Sequence, residues 1–437
     1  MNLSATIKQR ALDVGFDLAG VAPLTVWKDL EFAHAWVELG FGGEMRYLAN
    51  PQRRDPRSIL PSAKSVVCVG LVYNTPLPYS TEASQKPKVR GRKSKDRFPQ
   101  EPIPNPGFPI SELQNKEPKT TDEGLTGDVP RAWISRYAWG RDYHAVLRGK
   151  LEQLRAAMAG LAPGVETRVY VDTGPVVERA FTRFSGIGWM GKNTCMINEQ
   201  KGSWFFIGVI LTSLPLDSDL PAPERCGSCT RCLEACPTEA LAEPYFLDAT
   251  RCISYLTIEL KGSIPARLRE GMGANVFGCD ICQDVCPWNG RPLSVVSSPW
   301  QRSHQLPAVS HRPRCVATTE LPEFQPMQVS AAEFAEGTEP EAFSPTHNPR
   351  PPTPGFSLFN PPLEALASLA EEDFRRLFGH SPLKRAKFRN WLRNLCVAMG
   401  NSGDRRFLPW LQRASAHQDP VVREHAQWAT AKLNLRC

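Results

Sequence analysis

CGSCTRCLEACP, residues 226–237, sets Cys226, Cys229, Cys232 and Cys236 at the spacing C-x-x-C-x-x-C-x-x-x-C-P. In such a run three thiolates grip one 4Fe-4S cube, and the fourth, ahead of the proline, reaches a neighbouring cube. A second run follows in altered form: Cys252, then Cys279, Cys282 and Cys286 ahead of Pro287. The crossing rule gives one cluster to Cys226, Cys229, Cys232 and Cys286, and the other to Cys236, Cys252, Cys279 and Cys282. Two structural zinc sites are the alternative. Zinc sites usually set two C-x-x-C pairs across a longer loop, so three ligands in one tight run favour iron–sulfur. A helix from Ser254 to Leu260 is expected to fill the gap after Cys252.

Around this centre lie 437 residues, enough for two or three domains with apolar cores. No stretch reaches the length of a membrane span. Met1 to Val21 shows no signal layout and no twin arginine, so a cytoplasmic location is expected. Thirteen cysteines in a non-exported chain point to metal rather than disulfides. Cys68, Cys195, Cys315, Cys396 and Cys437 remain outside the runs and receive no role. The formal charge of +7 is unevenly spread: residues 375–437 hold 13 Lys/Arg against 3 Asp/Glu, a local +10. That tail is a candidate polyanion surface.

The periodicity predicts helices from Ala5 to Gly15 and near Trp27 to Gly40, then a Val-rich strand from Ser65 to Tyr73. Residues 76–130 are rich in Pro, Lys and Arg without apolar period, and read as a surface insertion that carries no chemistry. Structure resumes at Trp133. A strand from Glu166 to Val171 leads through Asp172-Thr173-Gly174-Pro175 to a helix over Val176–Phe184, with Pro175 suited to its first turn. Another strand, Ser203 to Thr212, precedes the cysteines. The mixture indicates an α+β or α/β domain, residues 1–221, followed by a cluster domain, 222–290. A Pro-rich linker, 291–356, precedes a helical region, 357–437. There Phe388, Leu392, Leu395 and Met399 share one helical face, and Val422, Ala426, Ala429 and Leu433 another. Asp419 and Pro420 suit the cap and first turn of the last helix, and Gly400-Asn401 is expected to turn the chain. A HEAT-like repeat and a plain helical bundle both fit this pattern.

Gly186, Gly188 and Gly191 match G-x-G-x-x-G, but a helix rather than a strand precedes them, which weakens a dinucleotide reading. A loop that brings backbone N–H groups close to a large polar-edged ligand, with Lys192 and Asn193 as donors, fits better; a tight structural turn is the alternative. Arg136, Tyr137, Gly140, Arg141, Asp142, Tyr143 and His144 form a polar-aromatic cluster, in which His144 alone carries little weight. Asp172, at a strand end, is better placed for catalysis. As a general acid it requires apolar surroundings that raise its pKa.

RYAWGRDYH (136–144), VDTGPVVER (171–179), GIGWMGKNT (186–194), CISYLTIE (252–259) and both cysteine runs together resemble the epoxyqueuosine reductase family. LRNLCVAMGNSGD (392–404) resembles its helical-repeat tail. The Pro-rich stretches are longer here than in the family pattern, and Ser135 stands where some members have Cys. The resemblance implies an α+β fold that couples a nitroreductase-like cobalamin domain to a ferredoxin-like two-cluster domain and a HEAT-like tail. It implies cobalamin and two 4Fe-4S clusters as cofactors, with electrons passing singly to give Co(I). Reduction of epoxyqueuosine to queuosine at the tRNA wobble position follows, Asp172 matching the proton donor. The cobalamin contacts implied are Arg57, Ser135, Arg136, Tyr137, His144, Asp172, Gly191, Lys192, Asn193 and Ser254, and the eight cysteines match the cluster ligands. Partners would be a tRNA bearing epoxyqueuosine in its anticodon loop and an unidentified reductant, with no membrane and a monomeric chain. Lys384, Arg385, Lys387, Arg389, Arg393, Arg405 and Arg406 could neutralise tRNA phosphates. Reductive dehalogenation, or electron carriage without catalysis, are the competing readings.

Overall fold

SVVCVGLV, Ser65–Val72, is apolar at nearly every position, which suits a strand covered on both faces. In a computed structural model, which describes residues 2–25, 28–83, 129–290, 317–330 and 355–435, all eight of these residues are buried. Most of the expected insertion (76–130) and of the expected linker (291–356) lies outside the described residues. The strands are β1 (Leu18–Pro23), β2 (Ser65–Val72), β3 (Trp133–Ile134), β4 (Thr167–Tyr170), β5 (Trp189–Met190), β6 (Met196–Ile197), β7 (Phe205–Thr212) and β8 (Asn275–Phe277). The main sheet runs β1-β2-β7-β4, antiparallel throughout. β3 and β8 form a separate parallel pair, and β5 and β6 a short hairpin.

Alternation along β2 sorts its side chains to two cores. Val67, Val69 and Leu71 join Ile7 and Ala11 of the helix Leu3–Asp13 and Leu147, Leu151, Leu154 and Met158 of the helix Tyr143–Leu161. Those four positions repeat at helical spacing, so one stripe meets the sheet. Leu151 lies over Gly208 of β7, where a Cβ would stand 2.8 Å from its Cδ1. Leu151→Ala would open a cavity there and cost about 2–5 kcal/mol. Val66, Cys68 and Val72 face the other way, onto Phe181, Ile187 and Met196.

Two expected boundaries move. The helix after β4 spans Glu178–Arg183, so Pro175 lies in the preceding loop rather than in a first turn. Gly400 and Asn401 sit inside the helix Lys387–Ser402, and the chain turns instead at Gly403, whose φ of 75° suits glycine. Gly400 is small because Ala429 of the helix Pro420–Asn434 crosses it; a Cβ would lie 2.9 Å from Ala429 Cα. Asp419 caps that last helix as expected, accepting from the N–H groups of Val421 and Val422.

The tail does not keep its core to itself. Trp391, Leu395, Met399, Ala426 and Leu433 share one buried cluster with Trp133, Ile134, Val276 and Phe277 of the β3–β8 pair. Part of the expected linker is built into the fold: Phe324 packs on Phe206 at 5.2 Å, and Gln328–Val329 pair with Phe356–Ser357. Arg393, expected on a phosphate-binding surface, is fully buried. It donates to the carbonyls of Leu256, Leu260 and Gly262, so it braces the segment after Cys252 and is closed to tRNA.

Candidate active site and cluster sites

Beyond β4 the chain bends sharply at Asp172, whose φ is +56°. Gly174 is required there, since a Cβ would lie 2.1 Å from the Tyr170 ring. Arg53 holds the bend, donating from Nη2 to the Gly174 carbonyl (2.9 Å) and from Nη1 to that of Val176 (3.2 Å). Against this loop stands the first turn of the helix Tyr143–Leu161, capped by Asp142. The Tyr143 hydroxyl donates to Asp172 Oδ2 at 2.6 Å, and its ring lies flat on Phe206 of β7 and under His144. His144 Nδ1 meets Asp142 Oδ1 at 2.7 Å, while its Nε2 faces Asp172 Oδ2 at 3.6 Å.

Two consecutive residues of the tail close the group. The 3-10 turn Pro382–Ala386 brings Lys384 Nζ to 2.8 Å from Asp142 Oδ2. It also sets Arg385 between Asp172 (3.5 Å) and Glu259 (2.8 Å). Each carboxylate beside His144 is therefore paired with a tail cation.

Charge follows from this geometry. The Asp172 side chain is 52% exposed; partial desolvation by its neighbours would push the carboxyl up, but hydrogen bonds from His144 and Tyr143 and the charge of Arg385 outweigh it and hold the group below the usual carboxylate range. Asp142 is held low in the same way against its burial, by His144 and Lys384. Burial disfavours the His144 cation, yet bonding to Asp142 and Asp172 raises its pKa to about 8. The imidazole is therefore a cation near neutrality, held between two carboxylates. The apolar surroundings that an acid role would require of Asp172 are not found: its neighbours are polar and charged, and the proton of the pair resides on His144. Glu178, in the turn beyond the Asp172 loop, behaves as the sequence argument wanted of Asp172, since burial lifts it to about 7.

Among the cysteines of the two runs, proximity follows the crossing rule in part, and Cys195, outside both runs, stands close to Cys282 and Cys286. Cys286 lies beside Cys226 and Cys232, and Cys232 beside Cys229. Cys252 lies beside Cys236, with Cys279 and Cys282 beside Cys252. The buried Asp280, between Cys279 and Cys282, accepts from Trp133 Nε1 (3.0 Å), Ser135 Oγ (2.5 Å) and the Arg136 N–H (2.8 Å), which ties this loop to β3.

Residues 225–289, which hold all eight thiols, match the family model described as a 4Fe-4S double cluster binding domain. Residues 111–173, through Asp172, match the model described as epoxyqueuosine reductase QueG, DUF1730. An epoxyqueuosine reductase of Synechocystis sp. is 34% identical over 372 residues, 84% of this chain and 95% of that one. The chain belongs to the epoxyqueuosine reductase family. Among solved members, an epoxyqueuosine reductase bound to a tRNA-Tyr epoxyqueuosine-modified stem loop superposes with a TM-score of 0.68 at 26% identity, covering 99% of this chain and 90% of that one. The Bacillus subtilis epoxyqueuosine reductase, in a structure with its catalytic aspartate loop swung out of the active site, gives 0.67 at 25% identity over the same shares.

Within this epoxyqueuosine reductase family member the expected cobalamin positions divide. Tyr137, His144 and Asp172 gather around the Asp172 loop: Tyr137 stands edge-on to Tyr143 at 6.1 Å, and its phenol, raised by burial, feels Arg385 and Asp172. Ser135, with its hydroxyl on Asp280, turns to the cysteine loop instead. Lys192 donates to the carbonyls of Gly227 (2.5 Å) and Cys229 (3.1 Å), Asn193 to that of Cys282 (3.2 Å), and Ser254 bonds the Cys252 thiol. Arg136 is buried, stacked 4.6 Å from the Trp139 ring centre and bonded to Thr75, Leu77 and Pro78. Arg57 is exposed and held by Asp55. Gly191 makes a turn: its N–H bonds the Cys195 carbonyl at 2.8 Å, and a Cβ would strike Ile197 Cδ1 at 2.6 Å. Neither the hold of Arg53 on the Asp172 loop nor the approach of Arg385 to Asp172 is legible in the sequence, since nothing local links either residue to Asp172.

Proposed function

We propose that this chain reduces epoxyqueuosine to queuosine at the wobble position of a tRNA anticodon. Family membership gives the reaction, and one observation carries the reading to this chain's residues: His144 and Arg385, from two other segments, converge on Asp172. The change converts an epoxide, two electrons and two protons into an alkene and water, breaking both C–O bonds. Side chains alone cannot supply the electrons.

The cofactors are two 4Fe-4S clusters and cobalamin. The eight thiols suit the clusters, and we assign Cys226, Cys229, Cys232 and Cys286 to one and Cys236, Cys252, Cys279 and Cys282 to the other. Around the Asp172 loop, Glu178 Oε1 and Arg53 Nε are buried polar atoms without a hydrogen-bond partner, which fits a site for a large polar-edged group. Tyr137, His144 and Asp172 would border cobalamin there. When bound, cobalamin supplies the electron pair that opens the epoxide.

The protein's own contribution is the proton. His144 holds it at Nε2 against Asp172 Oδ2, and Tyr143 and Arg385 fix that carboxylate. Asp172 is the general acid in that it relays this proton to the departing oxygen, and His144, reprotonated from solvent, refills it for the second. On the tail, Lys384, Lys387, Arg405 and Arg406 are exposed and suit stem phosphates, while an extruded wobble base reaches Asp172. Arg389 is held by Asp419 and the Lys261 carbonyl. We read residues 1–221 as the nitroreductase-like cobalamin domain, 222–290 as ferredoxin-like, 291–356 as the linker and 357–437 as HEAT-like, in a cytoplasmic monomer served by a separate reductant. No helix among the described residues is long and apolar enough to cross a membrane.

The test is nucleoside analysis of epoxyqueuosine-bearing tRNA after incubation with anaerobically reconstituted protein and reductant, with and without cobalamin. Cobalamin-dependent queuosine is the expected result; no conversion by protein with both clusters intact would overturn the reading.

A further inference from the structure

The hairpin β5–β6 was expected to cradle the large cofactor, yet its polar groups are spent on a cysteine loop. Its tip is closed by two backbone bonds, Gly191 N–H to the Cys195 carbonyl and Thr194 N–H to that of Gly191, both 2.8 Å. Gly188 lets the strands meet, because a Cβ there would lie 2.2 Å from the Ile197 carbonyl oxygen. So braced, the hairpin presents two donors to the Cys226 loop. The Lys192 ammonium is fixed by the carbonyls of Gly227 and Cys229. The second is the Trp189 indole N–H. Trp189 is 3% exposed, stands edge-on to Trp288 at 4.9 Å and packs against Cys226 and Cys286. Its Nε1 is buried and has no hydrogen-bond partner, and its ring packs against Cys226.

A buried N–H without a partner costs about 1–3 kcal/mol, so such a donor persists where something compensates it. A thiolate carrying part of a cluster's negative charge is a far better acceptor than a neutral thiol. Hydrogen bonds to cluster sulfurs and a nearby cation both stabilise the reduced, more negative cluster, which raises its reduction potential.

We infer that Trp189 and Lys192 are tuning residues that raise the reduction potential of the cluster on Cys226, Cys229, Cys232 and Cys286. They act through Cys226 and its loop without touching substrate. Glu224, exposed on the same loop, accepts the Cys226 N–H and offsets the effect only in part, because water screens it. The loop 220–230 is the more open side of the cysteine region, with Leu220 87% exposed. A raised potential there widens the range of reductants able to load the chain with electrons.

The experiment is a potentiometric series on the full chain with both clusters reconstituted, followed by electron paramagnetic resonance. It compares wild type with Trp189→Phe, Lys192→Met and Lys192→Arg. Trp189→Phe and Lys192→Met are each expected to shift the oxidised-to-reduced ratio of one cluster signal about tenfold toward oxidised at fixed potential, about 59 mV for one electron. The other signal should stay in place, and Lys192→Arg should keep the wild-type midpoint. Unmoved midpoints in Trp189→Phe, or equal shifts of both signals, would overturn the inference, and Trp189→Phe decides it even if Lys192→Met fails to load iron. The inference rests on the cluster assignment, whose own failure looks different: wild-type chain that takes up no iron–sulfur cluster at all.

Discussion

Replacing Asp142 by Asn removes one charge from the His144 environment and releases Lys384 from its ion pair. Asn caps a helix as well as Asp does, so the first turn of Tyr143–Leu161 should persist, and Asn Oδ1 can still accept from His144 Nδ1–H. The carboxylate is a principal reason that the His144 pKa stands at about 8 rather than 6.5. Without it the value should fall back by roughly 1.5 units, a loss of about 2 kcal/mol of preference for the imidazolium. At pH 7.5 the protonated fraction then drops from about three-quarters to about one-tenth, so a rate that needs this proton falls roughly eightfold; at pH 6 it changes by less than about 1.5-fold. Single-turnover conversion of an epoxyqueuosine-bearing stem loop by fully loaded protein, followed across pH 5.5–9.5, reads this directly. The alkaline limb should move from near pH 8 to near pH 6.5. A limb that stays in place, or an equal loss at every pH, would show that the His144 proton is not the one consumed.

Asp172→Asn should lower conversion by at least about 100-fold while leaving the affinity for an unmodified stem loop nearly unchanged; a normal rate in loaded protein would remove Asp172 from the mechanism. Arg393→Met removes the Arg393 donors from the Leu256 and Gly262 carbonyls and leaves that of Leu260 to Asn390 alone, and should cost about 3 kcal/mol, seen as a lower melting temperature. Arg405→Glu with Arg406→Glu should instead weaken stem-loop binding and flatten its salt dependence with little change in melting. His425 is fully buried, accepts the Ile264 N–H at Nε2, and is depressed by burial and by Arg269 to about 4. Folding favours its neutral form, so its contribution is intact above pH 6.5 and is lost as pH falls toward 4, up to about 3 kcal/mol. His425→Gln should lose less stability than wild type between pH 7 and pH 4.5 in thermal melts.

The legible parts of this chain are those that local chemistry dictates. The cysteine spacing needs one short loop, and the crossing rule then names which thiols should be neighbours. β2 declares itself by eight apolar residues, and Asp419-Pro420 by the bonds an N-cap makes. The parts that were misread depend on residues distant in sequence. Arg393 looks like its neighbour Arg389 in a basic run, and only the packing of the helix Lys387–Ser402 against residues 256–262 turns one inward and leaves the other near the surface. Lys192 and Asn193 look like ligand donors because they follow glycines, but the hairpin they sit on meets the Cys226 and Cys282 loops, whose carbonyls take those donors first. Asp172 shows the limit most clearly. Its strand-end position could be read, but whether it is acid or base is set by Arg385, more than two hundred residues later, and by His144 on another helix. A carboxylate with those neighbours is ionised whatever its own sequence context, so the acid in this site is a property of the assembled pair. That has a consequence for the reaction: any event that draws Arg385 away from Asp172, such as a phosphate competing for the guanidinium, makes Asp172 more basic and moves the proton from His144 toward the oxygen that must leave.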